Sequence, residues 1–274
     1  MDSSNHWYHH AHILAEYCGL DFGAPPRIDG ILQHGWTFVH GFGYGHQPPT
    51  GFSKFVWSDV CRRRGHSIGW RDYVVIGAPF LYLMATRPEA APDPDREGTI
   101  WYPFHGTIDY ETVAGNHHAL IEEIKAVEDG PVTVCLYYVE YAQPDVRNAY
   151  RDAGFRVICH GTRGAKWQGG TPDFLHQQLT ELRRHRRVAS NRLSTAIFHG
   201  VAAGCEAAVY GDPMEFVGGR PGFVDEGLLA ANYPEFFGAH VDQSAVRTTV
   251  EQEMGMTDML SPAELRRTLG WTAA

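Results

Sequence analysis

Hydroxyl and amide side chains cluster where an apolar run meets a helix-like stretch near residue 190. Ser190 and Asn191 end the run, and Ser194 and Thr195 lie at the start of a helix predicted over residues 193–203. A helix N-terminus presents unbonded N–H groups and a partial positive charge, which together bind phosphate. The spacing therefore predicts a phosphate site, with simple helix capping by Ser190 or Asn191 as the alternative.

Histidine–glycine pairs follow two other apolar runs, in His105-Gly106-Thr107 and in His160-Gly161. Glycine lets the chain turn sharply and lets a ligand approach the backbone. Histidine can form a hydrogen bond to a phosphate or to a sugar hydroxyl. We expect His105, Thr107, His160 and Gly161 to contribute to the same ligand site. A histidine that only stabilises its own loop is the alternative.

His34, at the end of an earlier apolar run, is a candidate general base because histidine titrates near neutral pH. Asp29 lies in the same predicted strand and is the competing candidate, since a carboxylate can also deprotonate an acceptor hydroxyl. A structural histidine at a strand end is the third interpretation.

Predicted strands alternate with predicted helices along the chain. Helical patterns cover, among others, residues 5–17 and 113–128. Apolar, strand-like runs cover residues 28–33, 54–58, 73–76, 99–104, 132–139, 156–159, 188–189 and 207–210. The alternation predicts parallel βαβ units, in which ligands bind beyond the carboxyl ends of the strands. The polar residues described above follow such strands.

One stretch, residues 87–98, is rich in proline and charge and almost free of large apolar side chains. Such a composition predicts a linker or an exposed loop. It divides the chain into a small α/β domain, residues 1–90, and a larger one, residues 97–274, which includes the C-terminal helices. We therefore predict an α/β fold of two Rossmann-like domains that face a cleft.

Composition excludes several classes of protein. The 274 residues include 23 Lys and Arg against 32 Asp and Glu, a formal net charge of −9, which argues against a general nucleic-acid binder. The sequence contains no run of about 18 apolar residues, so no membrane span is predicted. The first residues do not resemble a signal peptide. Five scattered cysteines without a CxxC pair favour reduced thiols in a cytoplasmic protein.

Two groups of basic side chains each allow a structural and a functional interpretation. His6, His9, His10 and His12 lie in one predicted helix, but no HExxH motif accompanies them, so a polar helix face is favoured over a metal site. The run RRHRR at residues 183–187 would support a peripheral membrane contact, although a solvated helix end is the favoured interpretation.

Several segments together carry a family resemblance that covers most of residues 5–215. They include YHHAHILAEYCGL, LQHGW, WYPFHGT, VTVCLYYVEY and SNRLSTAIFHGVAAG. In these segments the chain resembles bacterial glycosyltransferases of the GT-B type from polysaccharide gene clusters, akin to sialyltransferase-like and Kdo-transferase-like enzymes.

The resemblance implies that the second domain binds a nucleotide sugar and that the first binds the acceptor. It implies that His160-Gly161 occupies the place of a nucleotide-binding His-Pro pair, with Gly161 in place of the proline. It also implies a phosphate-binding role for Ser190 with Ser194, and a loose match of Asp29-Gly30 to an acidic base motif. A CMP-sugar is the donor that the sialyltransferase-like pattern suggests.

We therefore predict a glycosyltransferase that moves a sugar from a nucleotide-activated donor to a hydroxyl acceptor on a glycan or a small molecule. No DxD motif stands at a predicted strand end, and helix N–H groups can assist departure of the nucleoside phosphate, so we expect no metal or other cofactor. Two alternatives stay open: a sugar-nucleotide epimerase or hydrolase on the same fold, and a non-catalytic protein that binds a sugar or a nucleotide.

Overall fold

The chain forms two compact units, which are described separately. The computed structural model describes residues 3–43, 50–88, 95–106, 113–164, 170–217 and 226–271. Unit 1 contains residues 1–90, 163–176 and 248–274, and unit 2 contains residues 91–162 and 177–247. The boundaries expected from the sequence, 1–90 and 97–274, differ from these units in that residues 163–176 and 248–274 belong to unit 1.

The C-terminal segment belongs to unit 1 because its side chains pack against the first 90 residues. Helix α11 (Pro262–Thr268) is followed by Trp271, whose indole N–H donates to the Arg27 carbonyl at 3.1 Å. The Arg266 guanidinium donates to the Cys18 carbonyl, and Leu269 is fully buried. These contacts join positions more than 240 residues apart, so local sequence patterns could not reveal them.

Unit 1 is built on a three-stranded parallel sheet in the order β1-β2-β3. Its strands are β1 (Gly30–Leu32), β2 (Ser53–Val56) and β3 (Tyr73–Val75), and its helices are α1 (His10–Tyr17), α2 (Asp59–Ser67), α3 (Pro79–Thr86) and α11. Buried side chains of Ile31, Phe42, Val56, Cys61 and Tyr73 form a core on this sheet. Because β1 begins at Gly30, Asp29 precedes the strand in which the sequence pattern had placed it.

The helix predicted over residues 5–17 is interrupted. Only α1 is regular, and the preceding segment, Ser3–His9, forms 3₁₀ turns that break at Trp7 (ψ 137°). Tyr8 and His9 both have positive φ, at 53° and 60°. The Tyr8 N–H donates to the Arg163 carbonyl at 2.9 Å, so a contact distant in sequence replaces the helical hydrogen bond there.

Unit 2 is built on a five-stranded parallel sheet in the order β7-β6-β4-β8-β9. The strands are β4 (Thr99–Tyr102), β6 (Val132–Cys135), β7 (Arg156–Ile158), β8 (Arg187–Ser190) and β9 (Glu206–Val209). Most of their residues are buried, as expected for a parallel sheet with helices on both faces. This confirms the parallel α/β architecture predicted for the second part of the chain.

Helices and a small antiparallel pair complete unit 2. The helices are α4 (His117–Val127), α5 (Tyr138–Ala142), α6 (Pro144–Asp152), α7 (Phe174–Arg184), α8 (Thr195–Ala202), α9 (Glu226–Asn232) and α10 (Gln243–Met254); α7 and α10 each continue into unit 1, and short 3₁₀ turns cover Pro234–Phe236 and Met256–Asp258. The helix predicted over 113–128 is shorter, because β5 (Val113–Ala114) pairs with β10 (Glu215–Phe216) and Asn116 caps α4. None of the helices in the described residues is long and apolar enough to cross a membrane.

Candidate functional site

The carboxyl edge of the unit 2 sheet contains a topological switch point. From β4 the chain moves outward to β6 and then β7, whereas β8 returns to the other side of β4 and is followed by β9. In open α/β sheets the crevice outside the carboxyl ends of two such strands is the usual place for a ligand. The ends of β4 and β8 therefore define the candidate site.

Ser190 and Asn191 hold the strand ends at this point together. The Ser190 hydroxyl donates to the Tyr102 carbonyl at 2.7 Å and accepts from the Arg192 N–H at 3.2 Å. The Asn191 side-chain oxygen accepts from the Phe104 N–H at 2.7 Å, and its amide donates to the Asp212 carbonyl at 2.6 Å. Both side chains are 2% exposed. These contacts give Ser190 and Asn191 a positioning role at the rim.

The helix that follows starts two residues later than predicted, at Thr195. Its N-cap residue, Ser194, has an extended backbone, and the Ser194 side chain makes no capping hydrogen bond. Ser194 and Thr195 are partly exposed. The partial positive charge of the α8 N-terminus thus lies beside two partly exposed residues that carry hydroxyl groups, which is an arrangement suited to a phosphate.

His105 and Gly106 form an ordered turn after β4. The His105 Nδ1 lies 2.7 Å from the Gly106 carbonyl, so this nitrogen carries a proton and donates it to the carbonyl oxygen. The ring stacks on Tyr137 with centroids 4.4 Å apart. The Gly106 N–H donates to Glu140 Oε1 at 2.8 Å. Thr107, the third residue of this predicted motif, lies outside the described residues.

Glu140 is a buried carboxylate that sequence reasoning missed. It is 5% exposed and lies on α5, directly after β6, where it fixes the turn at Gly106. An isolated acidic residue in the apolar run VTVCLYYVEY is the signal that could have identified it.

His160 lies behind the rim and supports Tyr102. Its ring is 3% exposed, and its Nε2 lies 3.1 Å from the Tyr102 hydroxyl. Burial lowers the pKa of His160 to about 4, so the ring is neutral at pH 7. Gly161 has φ +89°, a conformation that favours glycine, and its N–H donates to the Cys159 sulfur at 3.2 Å. Tyr102 thus sits between Ser190 at its carbonyl and His160 at its hydroxyl.

His34 and Asp29 lie at opposite ends of β1 in unit 1. Asp29 is exposed before the amino end of the strand, and its N–H donates to the Leu269 carbonyl at 3.3 Å. His34 follows the carboxyl end, where its ring packs edge-on against Trp7 with centroids 4.5 Å apart. A strand rises about 3.3 Å per residue, so the three residues of β1 alone separate the two side chains by ~10 Å. The structure does not bring these two candidates into one site.

The turn that carries His34 is held rigidly. The Gln33 side chain accepts from the Trp57 N–H at 3.0 Å and donates to the Gly35 carbonyl at 3.0 Å. The Trp36 indole N–H donates to Glu253 Oε2 at 3.1 Å. Glu253 is 4% exposed and also binds Arg64 through both carboxylate oxygens, at 3.1 and 2.6 Å. His34 therefore lies between two anchored neighbours, Gln33 and Trp36.

The histidine cluster near the N-terminus forms a hydrogen-bond chain. His12 Nδ1 donates to the Phe22 carbonyl at 2.7 Å, and its Nε2 lies within hydrogen-bond distance of His6 Nδ1, at 3.0 Å. Burial and neighbouring imidazoles lower the pKa of His9 to about 4. Among the described residues, no three His, Cys, Asp or Glu side chains are grouped so that they could hold a metal ion.

The basic run at residues 183–187 does not form a continuous charged surface. His185 and Arg187 are buried, because Arg187 lies in β8 and the His185 ring bonds to the Glu181 carbonyl and the Thr133 hydroxyl. Arg184 faces Glu181 at 3.3 Å. The local sequence suggested a patch that could contact membranes, but its members are distributed between the sheet and the helix end.

Comparisons with known proteins reveal only distant similarity. No protein-family model and no curated protein matches the sequence. Among solved structures, the chain is similar to the S. aureus MnaA–UDP co-structure, with a TM-score of 0.40 and 11% identity over 80% of this chain and 60% of that one. It is also similar to the wall teichoic acid polymerase TagF, with a TM-score of 0.35 and 11% identity over 81% of this chain and 54% of that one. The chain thus spans less than two thirds of either protein.

Proposed function

We propose that this chain is a glycosyltransferase of the GT-B type, which moves a sugar from a nucleotide-activated donor to a hydroxyl acceptor. The observation that carries the proposal is the switch point of unit 2, where the ends of β4 and β8 meet the N-terminus of α8. Such a rim combines N–H groups for phosphates with histidine and aromatic side chains for rings.

The donor is proposed to bind along this rim. Its phosphates would lie at the N-terminus of α8, where the Ser194 and Thr195 hydroxyls add donors to the N–H groups. His105 would contact the nucleoside or the sugar through Nε2, with its ring fixed by Tyr137. Glu140 would keep the turn in place through the Gly106 N–H. Ser190, Asn191 and His160 would act through the strand ends that they hold.

The acceptor is proposed to bind unit 1 near His34. The acceptor hydroxyl oxygen attacks the anomeric carbon of the donor sugar, and His34 takes the hydroxyl proton. The bond between the anomeric carbon and the phosphate oxygen breaks, and the nucleoside phosphate leaves with the electron pair. The N–H groups of α8 stabilise the charge on that phosphate, so the proposal needs no metal ion.

Binding of the donor is tested with a thermal-shift screen against CMP, CDP, UDP, UMP, GDP, ADP and dTDP. A ligand that binds only the native state raises the melting temperature, and we expect one nucleotide class to do so. The double variant S194A/T195A should lose most of that shift. Ser67→Ala, an exposed serine on α2 whose hydroxyl donates to the Arg64 carbonyl, is the matched control and should retain it. A wild-type protein that no nucleotide stabilises would contradict the proposal.

Activity is tested by following nucleotide release from the sugar nucleotide of the class identified. We expect release to require an acceptor and to persist in EDTA. His34→Gln should lower kcat by about 100-fold or more, as expected for loss of a general base, whereas Asp29→Asn should retain activity. Release without any acceptor would instead indicate a hydrolase, and conversion of the sugar without release would indicate an epimerase.

A further inference from the structure

Arg163 is a partly buried cation that has no acidic partner among the described residues. Its guanidinium lies over the Trp7 ring at 4.9 Å from the centroid and donates to the Tyr8 hydroxyl. Among the residues that the structure describes, no carboxylate lies within ion-pair distance of Arg163. By contrast, Arg64 in the same unit is matched by the buried Glu253. A guanidinium that is partly withdrawn from water gains most from a carboxylate or a phosphate, which it can bind through two parallel hydrogen bonds.

The backbone beside Arg163 is strained. The backbones of two consecutive non-glycine residues, Tyr8 (φ 53°, ψ 15°) and His9 (φ 60°, ψ 30°), lie in the left-handed region. This conformation is unfavourable for any residue with a Cβ atom. Strain of this kind clusters at ligand sites and persists where surrounding contacts enforce it. Here the Arg163 carbonyl accepts from the Tyr8 N–H, and the Tyr8 ring packs against Phe174 at 5.1 Å.

The strained turn brings Trp7 into contact with two cationic or titratable groups. Trp7 contacts the His34 ring at 4.5 Å and the Arg163 guanidinium at 4.9 Å. An aromatic ring beside hydrogen-bonding groups is a common surface for the apolar face of a sugar. The three side chains thus provide a stacking surface, a permanent positive charge and the proposed base within one cluster.

We propose that Trp7, Tyr8, His34 and Arg163 form an anion-recognition subsite for an acceptor that carries a carboxylate or a phosphate. This inference rests on the proposed function only in identifying the bound ligand as the acceptor. Arg163 and the Tyr8 hydroxyl bind the anionic group, and the hydroxyl to be glycosylated lies near His34. Because the chain has a formal net charge of −9, a local cation is needed to attract an acidic ligand.

The test compares ligands that differ mainly in charge. Binding of glucose, glucuronic acid, glucose 6-phosphate and inorganic phosphate is measured by calorimetry on the full chain. We expect at least one of the two acidic sugars to bind about tenfold or more tightly than glucose, and the better one identifies carboxylate or phosphate as the preferred group. The inference would be overturned if glucose bound as tightly as glucuronic acid and glucose 6-phosphate. It would also be overturned if inorganic phosphate bound as tightly as these two acidic sugars.

Arg163→Gln should abolish the preference for the acidic sugar, and Arg163→Lys, which keeps the charge but not the fork, should retain part of it. Arg71→Gln is the matched control, since Arg71 is exposed in the same unit and its guanidinium donates to the His66 and Trp70 carbonyls. It should leave the preference unchanged. If the Arg163→Gln variant does not fold, the Arg163→Lys variant provides the test. A folded Arg163→Lys protein that keeps the full tenfold preference for the acidic sugar would contradict binding through two parallel hydrogen bonds.

Nucleotide binding separates this inference from the proposed function. If Arg163→Gln weakens nucleotide binding about tenfold, Arg163 belongs to the donor site and its assignment to the acceptor site is overturned. If no nucleotide binds the wild-type protein while the acid preference depends on Arg163, the anion subsite stands and the proposed function fails. If nucleotides bind but acidic sugars show no preference, only the anion subsite fails.

Discussion

Gly200 on α8 lies directly against Val188 on β8. A Cβ atom built on Gly200 would lie 2.4 Å from Val188 Cγ1 and 2.7 Å from its Cβ, which is closer than carbon atoms approach without overlap. Helix α8 therefore packs on the sheet at a distance that only glycine allows at this position. The same helix presents Ser194 and Thr195 at its N-terminus, so this packing sets the height of the proposed phosphate site above the strand ends.

Gly200→Ala should lower the free energy of unfolding, by up to about 2 kcal/mol. Overpacking costs ~1–3 kcal/mol, and the ~1 kcal/mol that alanine gains over glycine in a helix offsets only part of a cost in the upper half of that range. Urea unfolding followed by circular dichroism measures the change. Because the helix must move, the variant should also bind the nucleotide more weakly.

Gly130→Ala is the control for this substitution. A Cβ on Gly130 would meet only Gly98, at ordinary van der Waals distances of 3.5 Å and more, so its stability should change by less than about 0.5 kcal/mol. A Gly200→Ala protein as stable as the Gly130→Ala protein would show that α8 does not pack as closely as described.

Ser190 and Ser194 should respond differently to alanine substitution. Ser190→Ala removes a buried hydroxyl that bonds the Tyr102 carbonyl and the Arg192 N–H, so unfolding free energy should fall by about 1–2 kcal/mol. Ser194→Ala should change stability by less than about 0.5 kcal/mol and weaken nucleotide binding, because Ser194 makes no capping bond. Urea unfolding and nucleotide titration of both variants check this. Equal stability losses would contradict the assigned roles.

The strands of unit 2 and the polar residues at their ends could be predicted from the sequence. An apolar run of four residues or more that glycine or proline ends is best explained as a strand, and few other structures fit it. The runs before His105 and His160 are examples. In a parallel sheet such ends must share one edge. What could not be predicted is which side chains point outward. Ser190 and His160 both bond to Tyr102 of β4, a strand that is next to β8 but two strands away from β7.

Features that depend on contacts distant in sequence were missed. The helical pattern of residues 5–17 is continuous, yet the Arg163 carbonyl captures the Tyr8 N–H and breaks the helix. The acidic residue Glu140 carries no local motif, and its partner, Gly106, lies 34 positions away. Composition also cannot show that the segment around Trp271 packs in unit 1.

Glu253→Gln should destabilise unit 1 by about 3 kcal/mol. The carboxylate is 4% exposed, and its loss removes the ion pair and the two charged hydrogen bonds that it forms with the partly buried Arg64 guanidinium. The indole of Trp36 also loses a charged acceptor, so the fluorescence of the native protein should change. Urea unfolding monitored by tryptophan fluorescence measures both effects.

Glu251→Gln provides the control on the same helix. Glu251 is exposed on α10, so its substitution should alter stability by less than about 0.5 kcal/mol. If the two variants have the same unfolding midpoint, the pair between Arg64 and Glu253 contributes nothing measurable to the turn that carries His34.

Protonation of His160 should make the protein less stable in mild acid. Burial lowers the pKa of His160 from 6.5 to about 4 in the folded state, so the unfolded chain binds the proton more tightly than the native one. The contribution of the neutral ring is therefore complete above pH 6.5, falls as the pH drops below 6.5, and is fully lost near pH 4. The slope approaches 1.4 kcal/mol per pH unit for one group, which gives a loss of ~2 kcal/mol between pH 6.5 and pH 5.

The measurement is the free energy of unfolding in urea at pH 7.0, 6.0 and 5.0 for the wild type and for His160→Gln. Glutamine retains a hydrogen-bonding group for the Tyr102 hydroxyl but cannot be protonated in this range, so the variant should lose less stability on acidification than the wild type. His240→Gln, at an exposed position in the same unit, is the control and should follow the wild-type curve. Parallel curves for the wild type and His160→Gln would mean that other buried histidines, such as His10 with a pKa lowered to about 3 by burial, account for the acid sensitivity.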